Sequence, residues 1–239
     1  MCQKKILALV ADVVFPEESR RAREEYLNQF SRPEFEVVVK AIQEGADYLE
    51  SYYDQCLSAR GIVSEVIKAE KEGFAAVLVL CMSDPFIDAA REVVDIPVIG
   101  SGQASFLTAV SLGLKFSIVT AGSNAIPWLD KLVRTSGCDY NSLASIRAIE
   151  MSIAEMNANS EKTLNKTIEV ARQAIEHDGA HAIIMGCTEM GVHFKEEIES
   201  RLGVPIIEPN VAALGLAMFQ LKANLRHSRK TYPKQNVVV

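Results

Sequence analysis

Residues 72–81 read EGFAAVLVLC and residues 178–187 read DGAHAIIMGC, so one pattern occurs twice in this chain. In each copy an acidic residue and a glycine precede a short apolar run, and a cysteine stands eight positions after the glycine. A continuous apolar run of this length between turn residues is typical of a parallel strand that is buried on both faces. The repeat therefore predicts two equivalent strands, each followed directly by a thiol.

The repeat extends well beyond these two segments. IPVI at 96–99 corresponds to VPII at 204–207, and KILALV at 5–10 corresponds to KFSIVT at 115–120. The copies are 106 residues apart at the cysteines, 108 at the prolines and 110 at the first strands. A duplication of this extent predicts two similar parallel-sheet α/β halves, with the active site in the cleft between them.

Short apolar runs alternate with longer amphipathic stretches along the whole chain, as is typical of a parallel sheet flanked by helices. The pattern predicts strands at 5–11, 35–40, 75–81, 97–100, 115–120, 143–149, 181–186 and 204–207. Helices are predicted at 17–29, 63–71, 86–94, 104–112, 126–135 and 161–177, and a last helix after Pro209. We assign residues 1–101 and 211–239 to the first half, to which the last helix returns, and residues 102–210 to the second.

The composition argues against several classes of partner. The chain has 239 residues, of which 49% are hydrophobic, and its formal net charge is -6. This content supports a well-buried core, and the acidic balance argues against nucleic acid and against an anionic membrane surface. No apolar run approaches the ~20 residues that span a bilayer, and the N-terminal segment lacks the features of a signal peptide. We therefore expect a cytoplasmic protein that binds a small molecule and neither nucleic acid nor membrane. The basic C-terminal tail is expected to be frayed.

The cysteines are expected to be reduced thiols. There are five of them, an odd number at wide spacing, and no C-x-x-C pair occurs. That pattern is typical of a protein in a reducing compartment and argues against a structural zinc site. Three of the five, Cys2, Cys56 and Cys138, have no further context and are interpreted as structural.

Cys81 and Cys187 differ from the other three because each ends a predicted strand and precedes a predicted helix. Ligands of open α/β sheets bind at the carboxyl ends of the strands, and a helix N-terminus favours a thiolate. Asp84 and Pro85 are typical of an N-cap and a first helical position. The alternative is that both cysteines are buried small hydrophobic residues, but their equivalent placement in two repeats favours a functional pair.

Two thiols that face one substrate suit racemisation at an acidic carbon. One thiolate removes the α-proton from one face, and the opposite thiol delivers a proton to the other face. The roles reverse for the other enantiomer. Backbone N–H groups can stabilise the enolate that develops.

The sequence resembles the cofactor-independent aspartate/glutamate racemase superfamily, and within it the hydantoin racemase branch. The resemblance rests on CMSDP at 81–85, GCTEM at 186–190 and PVIG at 97–100, and it spans residues 45–215. It implies that Cys81 and Cys187 are the acid/base pair and that no cofactor or metal takes part.

The resemblance also implies polar contacts from Ser83, Thr188 and Thr120 to the substrate. Two positions depart from the hydantoin branch, because Asp12 and Glu189 place negative charge where that branch has an Asn-rich turn and small residues. The candidate substrate-binding residues are therefore Asp12, Met82, Ser83, Thr120, Thr188 and Glu189. The preferred substrate is a hydantoin or related ureide, and we also expect a homo-oligomer.

Other functions stay open at this stage. An aspartate/glutamate-type amino-acid racemase or a maleate-isomerase-like cis–trans isomerase would keep the fold, whereas a decarboxylase would need only one cysteine. A non-enzymatic binding module does not require two thiols.

Other candidate sites are weaker than the thiol pair. A Cys187–His193 nucleophile pair is disfavoured because His193 is expected in the next helix. A metal site of Cys187, His181 and His193 is disfavoured because these residues are expected to point in different directions. Gly100-Ser101-Gly102 fails the dinucleotide fingerprint, because position 105 is Ser. Trp128 is interpreted as a packing residue.

Overall fold

The computed structural model describes residues 3–113, 115–190 and 194–235. It divides into two compact units. The first unit comprises the chain up to Ser101 and again from Ala213 onward, and the second comprises Gly102–Ala212.

The first unit is built on a four-stranded parallel sheet. Its strands are β1 (Lys4–Val10), β2 (Phe35–Ala41), β3 (Ala76–Leu80) and β4 (Val98–Gly100), in the order β2-β1-β3-β4. The helices between them are α1 (Glu17–Ser31), α2 (Tyr52–Lys71) and α3 (Ile87–Val93). All five residues of β3 are buried, which explains why this strand reads as an uninterrupted apolar run.

The second unit repeats this sheet. Its strands are β5 (Phe116–Thr120), β6 (Leu143–Ala148), β7 (Ala182–Met185) and β8 (Ile206–Ile207), in the order β6-β5-β7-β8. The helices are α4 (Ser101–Leu112), α5 (Ile126–Thr135), α6 (Ile153–Ala158), α7 (Ser160–Asp178) and α8 (Lys195–Leu202). The last helix, α9 (Pro209–Lys222), begins in this unit and belongs to the first unit from Ala213 onward. Two short 3-10 helices span Ser123–Ala125 and Tyr140–Ser142.

The registers of the two sheets match the repeat residue by residue. Ile6 lies opposite Ala76 in the first sheet, and Phe116 lies opposite Ala182 in the second. Ile6 and Phe116 are 110 positions apart, and Ala76 and Ala182 are 106 positions apart, which are the offsets of the repeats in the sequence. The two four-stranded parallel sheets with their flanking helices confirm the predicted fold class of two similar α/β halves.

The eight predicted strands are all present, but the helices differ from the prediction in places. Helix α2 begins at Tyr52, much earlier than predicted, and it runs through Gly61, a residue that disfavours helix. A Cβ at Gly61 would lie 2.0 Å from the carbonyl oxygen of Glu44, so close packing requires a glycine there. Helices α6 and α8 were not predicted, because their amphipathic runs are only six and eight residues long.

The prediction of a frayed C-terminal tail is wrong up to Gln235. The imidazole Nε2 of His227 accepts a hydrogen bond from the backbone N–H of Val98 at 2.8 Å, and Arg229 pairs with Asp95 at 2.6 Å. The backbone N–H of Gln235 also donates to the carbonyl of Glu92 at 2.9 Å. The tail is therefore held against the β4 edge of the first sheet. Residues 236–239 lie outside the described part of the chain.

Within the described ranges, no helix is long and apolar enough to cross a membrane.

Candidate active site

Cys81 and Cys187 occupy equivalent places in their own sheets. Cys81 is the first residue after β3, and its carbonyl accepts the backbone N–H of Asp84 at 3.1 Å. Cys187 follows β7, and its carbonyl accepts the backbone N–H of Met190 at 3.1 Å. Each cysteine thus begins a β-turn at the carboxyl end of the third strand of its sheet, where ligands of parallel sheets bind.

The helices after these turns begin later than the sequence predicts. Helix α3 begins at Ile87 and α8 begins at Lys195, so neither thiol adjoins a helix N-terminus. The prediction of Asp84 as an N-cap is wrong, because the N-cap position is held by Phe86. Asp84 and Phe86 both have left-handed backbone conformations, with φ of 48° and 54°, and these delay the helix.

The side chain of Asp84 has a different role. It is buried, and its carboxyl group lies against the Cα of Gly100 at the end of β4. A Cβ on Gly100 would lie 2.3 Å from Asp84 Cγ, so only glycine fits beside this carboxyl group. A buried carboxylate therefore stands close to the turn that carries Cys81.

The surroundings of Cys81 disfavour a thiolate. Burial, together with the negative charges of Asp12 and Asp84, raises the pKa of the Cys81 thiol to about 12. A contact of 3.3 Å between Cys81 Sγ and Ser83 Oγ acts in the opposite direction and lowers this pKa. The prediction of a thiolate stabilised by a helix N-terminus is therefore wrong for Cys81, which is a neutral thiol near pH 7.

Asp12 lies close enough to Cys81 for its charge to act on the thiol. It follows β1, the strand that lies beside β3, and its Oδ1 accepts the backbone N–H of Leu49 at 2.8 Å. Asp12 therefore fastens the loop after β1 to the segment before α2. Met82, the other candidate in this unit, is buried.

In the second unit, Thr120 and Thr188 lie at the ends of neighbouring strands. Thr120 is buried, and its Oγ1 donates to the carbonyl of Gly186 at 3.3 Å. A Cβ on Gly186 would lie 2.8 Å from Thr120 Cβ and from Ile118 Cγ2, so β7 can approach β5 this closely only with glycine at that position. Thr188 is buried as well, whereas Glu189 is partly exposed.

Two polar residues that the sequence did not single out complete this end of the second sheet. Glu208 and Asn210 follow β8, and both are buried. The Glu208 carboxylate accepts the backbone N–H groups of Asn210 at 3.0 Å and Val211 at 2.8 Å, so it caps helix α9. The motif Glu-Pro-Asn directly after an apolar run could have indicated this cap, because proline favours the first helical position.

The weaker candidates are not brought together. His181 lies at the start of β7 and Cys187 lies beyond its end, so they cannot share a metal ion. Over 3–113, 115–190 and 194–235 there is no group of three or more His, Cys, Asp or Glu placed to hold a metal. His193 lies outside the described residues, and Cys2 does too. Trp128 in α5 has a buried indole Nε1 without a hydrogen-bond partner in the described part of the chain.

The four cysteines in the described ranges are all thiols rather than disulfides, as predicted. Cys56 is exposed on α2, and Cys138 is partly exposed after α5. Neither lies at the carboxyl end of a strand. The tertiary structure therefore distinguishes Cys81 and Cys187, which follow strands of the two sheets, from the other described cysteines, and the sequence pattern makes the same distinction.

Comparison with known proteins identifies the family. The family model described as Asp/Glu/Hydantoin racemase matches residues 20–217. A hydantoin racemase of Pseudomonas sp. (strain NS671) is 34% identical over 203 residues, which is 84% of this chain and 81% of that protein. A hydantoin racemase of Paenarthrobacter aurescens is 32% identical over 174 residues, 72% of this chain and 73% of that protein.

A solved structure agrees with these relatives. The allantoin racemase of Pseudomonas fluorescens superposes with a TM-score of 0.90 at 25% identity, covering 98% of this chain and 99% of that one. The resemblance that the cysteine motifs indicated is thereby confirmed: the chain belongs to the Asp/Glu/Hydantoin racemase family of isomerases.

Proposed function

We propose that this racemase inverts an acidic carbon in a hydantoin or a related ureide, with Cys81 and Cys187 as its acid and base. The observation that carries the proposal is the equivalence of the two cysteines. Each follows the third strand of its sheet, and each begins a β-turn closed by the N–H three residues later. The proposal takes residues 1–101 with 211–239, and residues 102–210, as duplicated halves that each supply one thiol.

The reaction needs one proton acceptor and one proton donor on opposite faces of the substrate. A thiolate removes the α-proton and becomes a thiol, and the electron pair left on carbon is delocalised into the neighbouring carbonyl. The second thiol then gives its proton to the opposite face and becomes the thiolate. Because burial and two carboxylates keep Cys81 protonated, we expect the unliganded protein to present Cys81 as the acid.

The charges around Cys81 favour a neutral ureide over an acidic amino acid. Asp12 and Asp84 both act electrostatically on this thiol. A second carboxylate on the substrate would be repelled by them, whereas the N–H groups of a ureide are donors that a carboxylate can accept. Support also comes from the relatives, which are named for hydantoin and allantoin.

The substrate contacts are proposed by position. Ser83 lies against the Cys81 sulfur, and Thr188 directly follows Cys187. We propose that these two, with Asp12, Met82, Thr120 and Glu189, surround the bound substrate.

The thiols must stay reduced, which suits a cytoplasmic location. Tyr53 and Leu57 on α2 are exposed apolar side chains, which fits a homo-oligomer, and light scattering after size exclusion tests this.

The function is tested with pure enantiomers in deuterated water. Enantiomers of 5-substituted hydantoins, allantoin, aspartate and glutamate are incubated with the protein, and α-deuteration is followed by NMR while inversion is followed by polarimetry. We expect exchange with inversion on a hydantoin or allantoin, above the rate without protein.

Three variants complete this experiment. Cys81→Ser and Cys187→Ser should each abolish inversion, because a serine hydroxyl is too weak an acid to replace a thiol near neutral pH. Cys56→Ser, an exposed cysteine on α2, is the matched control and should keep full activity. Full racemisation by either of the first two variants would show that two thiols are not required, and inversion of glutamate alone would refute the ureide substrate.

A further inference from the structure

Each thiol-bearing segment is held by one buried side chain that comes just after the neighbouring strand. In the first unit this side chain is Ser101, which follows β4 and has no exposed surface. Its Oγ donates to the carbonyl of Val79 at 3.0 Å. The same carbonyl accepts the backbone N–H of Cys81, also at 3.0 Å. Ser101 therefore fixes the acceptor that holds the main chain of Cys81.

In the second unit the corresponding side chain is Asn210, which follows β8 and is fully buried. Its Nδ2 donates to the carbonyl of Thr188 at 3.0 Å and to Glu208 Oε1 at 2.5 Å. Thr188 is the second residue of the turn that Cys187 begins. The Glu208 carboxylate is itself fixed by the N–H groups at the start of α9, so the Asn210 amide has one orientation.

The remaining atom of this amide is unusual. Asn210 Oδ1 is buried and has no hydrogen-bond partner in the part of the chain that the structure describes. A buried acceptor without a partner destabilises the fold, because its lost hydrogen bonds to water are not replaced. An apolar residue at this position would avoid that cost, but it could not hold the Thr188 carbonyl.

We propose that Ser101 and Asn210 are positioning residues, Ser101 for the Cys81 thiol and Asn210 for the Cys187 thiol. The inference rests on the proposed two-thiol function and assigns one buried support to each thiol. Proton transfer requires a heavy-atom distance of about 2.6–3.2 Å, and a misplacement of about 1 Å can lower a rate ~100-fold. Loss of either support should therefore slow proton transfer by the thiol that it positions and leave proton transfer by the other thiol unchanged.

The test measures each thiol by itself. A racemase must keep equal efficiencies in its two directions at equilibrium, so racemisation rates cannot separate the thiols. In a Cys81→Ser background only Cys187 can take an α-proton, and in a Cys187→Ser background only Cys81 can. Exchange into D₂O then proceeds without inversion, because the thiolate takes H⁺, the thiol exchanges it for D⁺ and returns D⁺ to the same face.

Asn210→Ala is placed in both backgrounds. We expect α-exchange of the hydantoin enantiomer to fall roughly 10- to 100-fold in the Cys81→Ser background, where Cys187 acts. In the Cys187→Ser background the change should stay below about twofold, because an independent site adds no coupling. Ser101→Ala should give the reverse pattern. Asn210→Ser, which leaves a smaller cavity, is measured in parallel in case the alanine variant folds poorly.

Matched controls come from the same kinds of side chain at the end of α1, where they bond to carbonyls of β2 and not to a turn that carries a cysteine. Asn28 is buried, and its Nδ2 donates to the carbonyl of Val37 at 2.9 Å. Ser31 is buried and donates to the carbonyl of Phe35 at 3.1 Å. Asn28→Ala and Ser31→Ala should lower thermal stability but leave the ratio of the two exchange rates unchanged.

The possible outcomes separate this proposal from the one on which it rests. If Asn210→Ala and Asn210→Ser lower both exchanges equally, or neither, the positioning role is wrong for Asn210, and the same criterion applies to Ser101→Ala. If the two cysteine variants alone fail to show exchange of opposite enantiomers, the two-thiol function itself is wrong. The proposal is confirmed if Asn210→Ala lowers only the exchange by Cys187 and Ser101→Ala lowers only the exchange by Cys81.

Discussion

Replacing Asp12 by Asn should make Cys81 more reactive. Burial and the charges of Asp12 and Asp84 raise the pKa of Cys81 to about 12, and Asp12 is the largest of the charge effects. Asparagine keeps an oxygen that can accept the Leu49 N–H, so the substitution removes the charge and preserves the 2.8 Å hydrogen bond. The substitution therefore removes the negative charge beside Cys81 while keeping this anchor to Leu49.

The size of the effect follows from the ionised fraction of the thiol. At pH 8 a thiol with a pKa of about 12 is ionised in roughly one molecule in 10⁴, whereas an ordinary thiol of pKa ~8.5 is ionised in about one in four. Burial accounts for the largest part of the difference and stays in place. Removing the Asp12 charge should lower the pKa by about one unit or less, which speeds reaction of the thiolate by roughly 2- to 10-fold.

The assay is alkylation by iodoacetamide at pH 8, with the Cys81 peptide quantified by mass spectrometry. In the wild-type protein Cys81 should react far more slowly than Cys56, which is exposed. Ser83→Ala provides a change of opposite sign, because the hydroxyl lowers the pKa of Cys81 and its loss should slow alkylation. Alkylation of Cys81 that is unchanged or slower in Asp12→Asn, or faster in Ser83→Ala, would refute this account of the site.

Three further predictions concern stability. Burial, with a contribution from nearby Arg91, lowers the pKa of His227 to about 4, below the ~6.5 expected in the unfolded chain. The neutral imidazole should therefore contribute fully to the free energy of unfolding above pH ~6.5, and this contribution should be lost as the pH falls to about 4. Because His227 is partly exposed, that loss should be only about 1–2 kcal/mol, and His227→Gln should remove this pH dependence in urea titrations. Gly186→Ala should destabilise by about 2–4 kcal/mol in the same titrations, because its Cβ would lie 2.8 Å from Thr120; an unchanged midpoint would contradict the close approach of β7 to β5. Asn28→Ala should cost about 1–3 kcal/mol by leaving the Val37 backbone groups unpaired, and a midpoint shift smaller than that of an exposed Asn165→Ala control would contradict it.

The strands and the fold class could be predicted because their signal is local. A buried parallel strand is apolar at every position, so β3 and β7 can be recognised without their neighbours. The duplication shows which strand of one half corresponds to which strand of the other, because the offsets at separate segments are nearly equal, from 106 to 110 residues. The same offsets identified Cys81 and Cys187 as an equivalent pair and supported the family resemblance that the comparisons confirmed.

The tertiary structure alone decided the features that depend on contacts between distant segments. Asp84 reads as an N-cap in sequence, but packing of its carboxyl group against Gly100 accompanies a left-handed turn that moves the helix start to Ile87. The pKa of Cys81 moves opposite to the local expectation, because burial and Asp12 outweigh any nearby helix.

The supports of the two turns were hidden for the same reason. Ser101 and Asn210 each bond to a carbonyl 22 positions earlier in the chain, and no local pattern records such a contact. Amino-acid type and spacing thus determined the sheets, the repeat and the paired thiols of this protein. Folding decided the protonation of Cys81 and the residues that hold each turn, because desolvation and long-range hydrogen bonds exist only once the chain is packed.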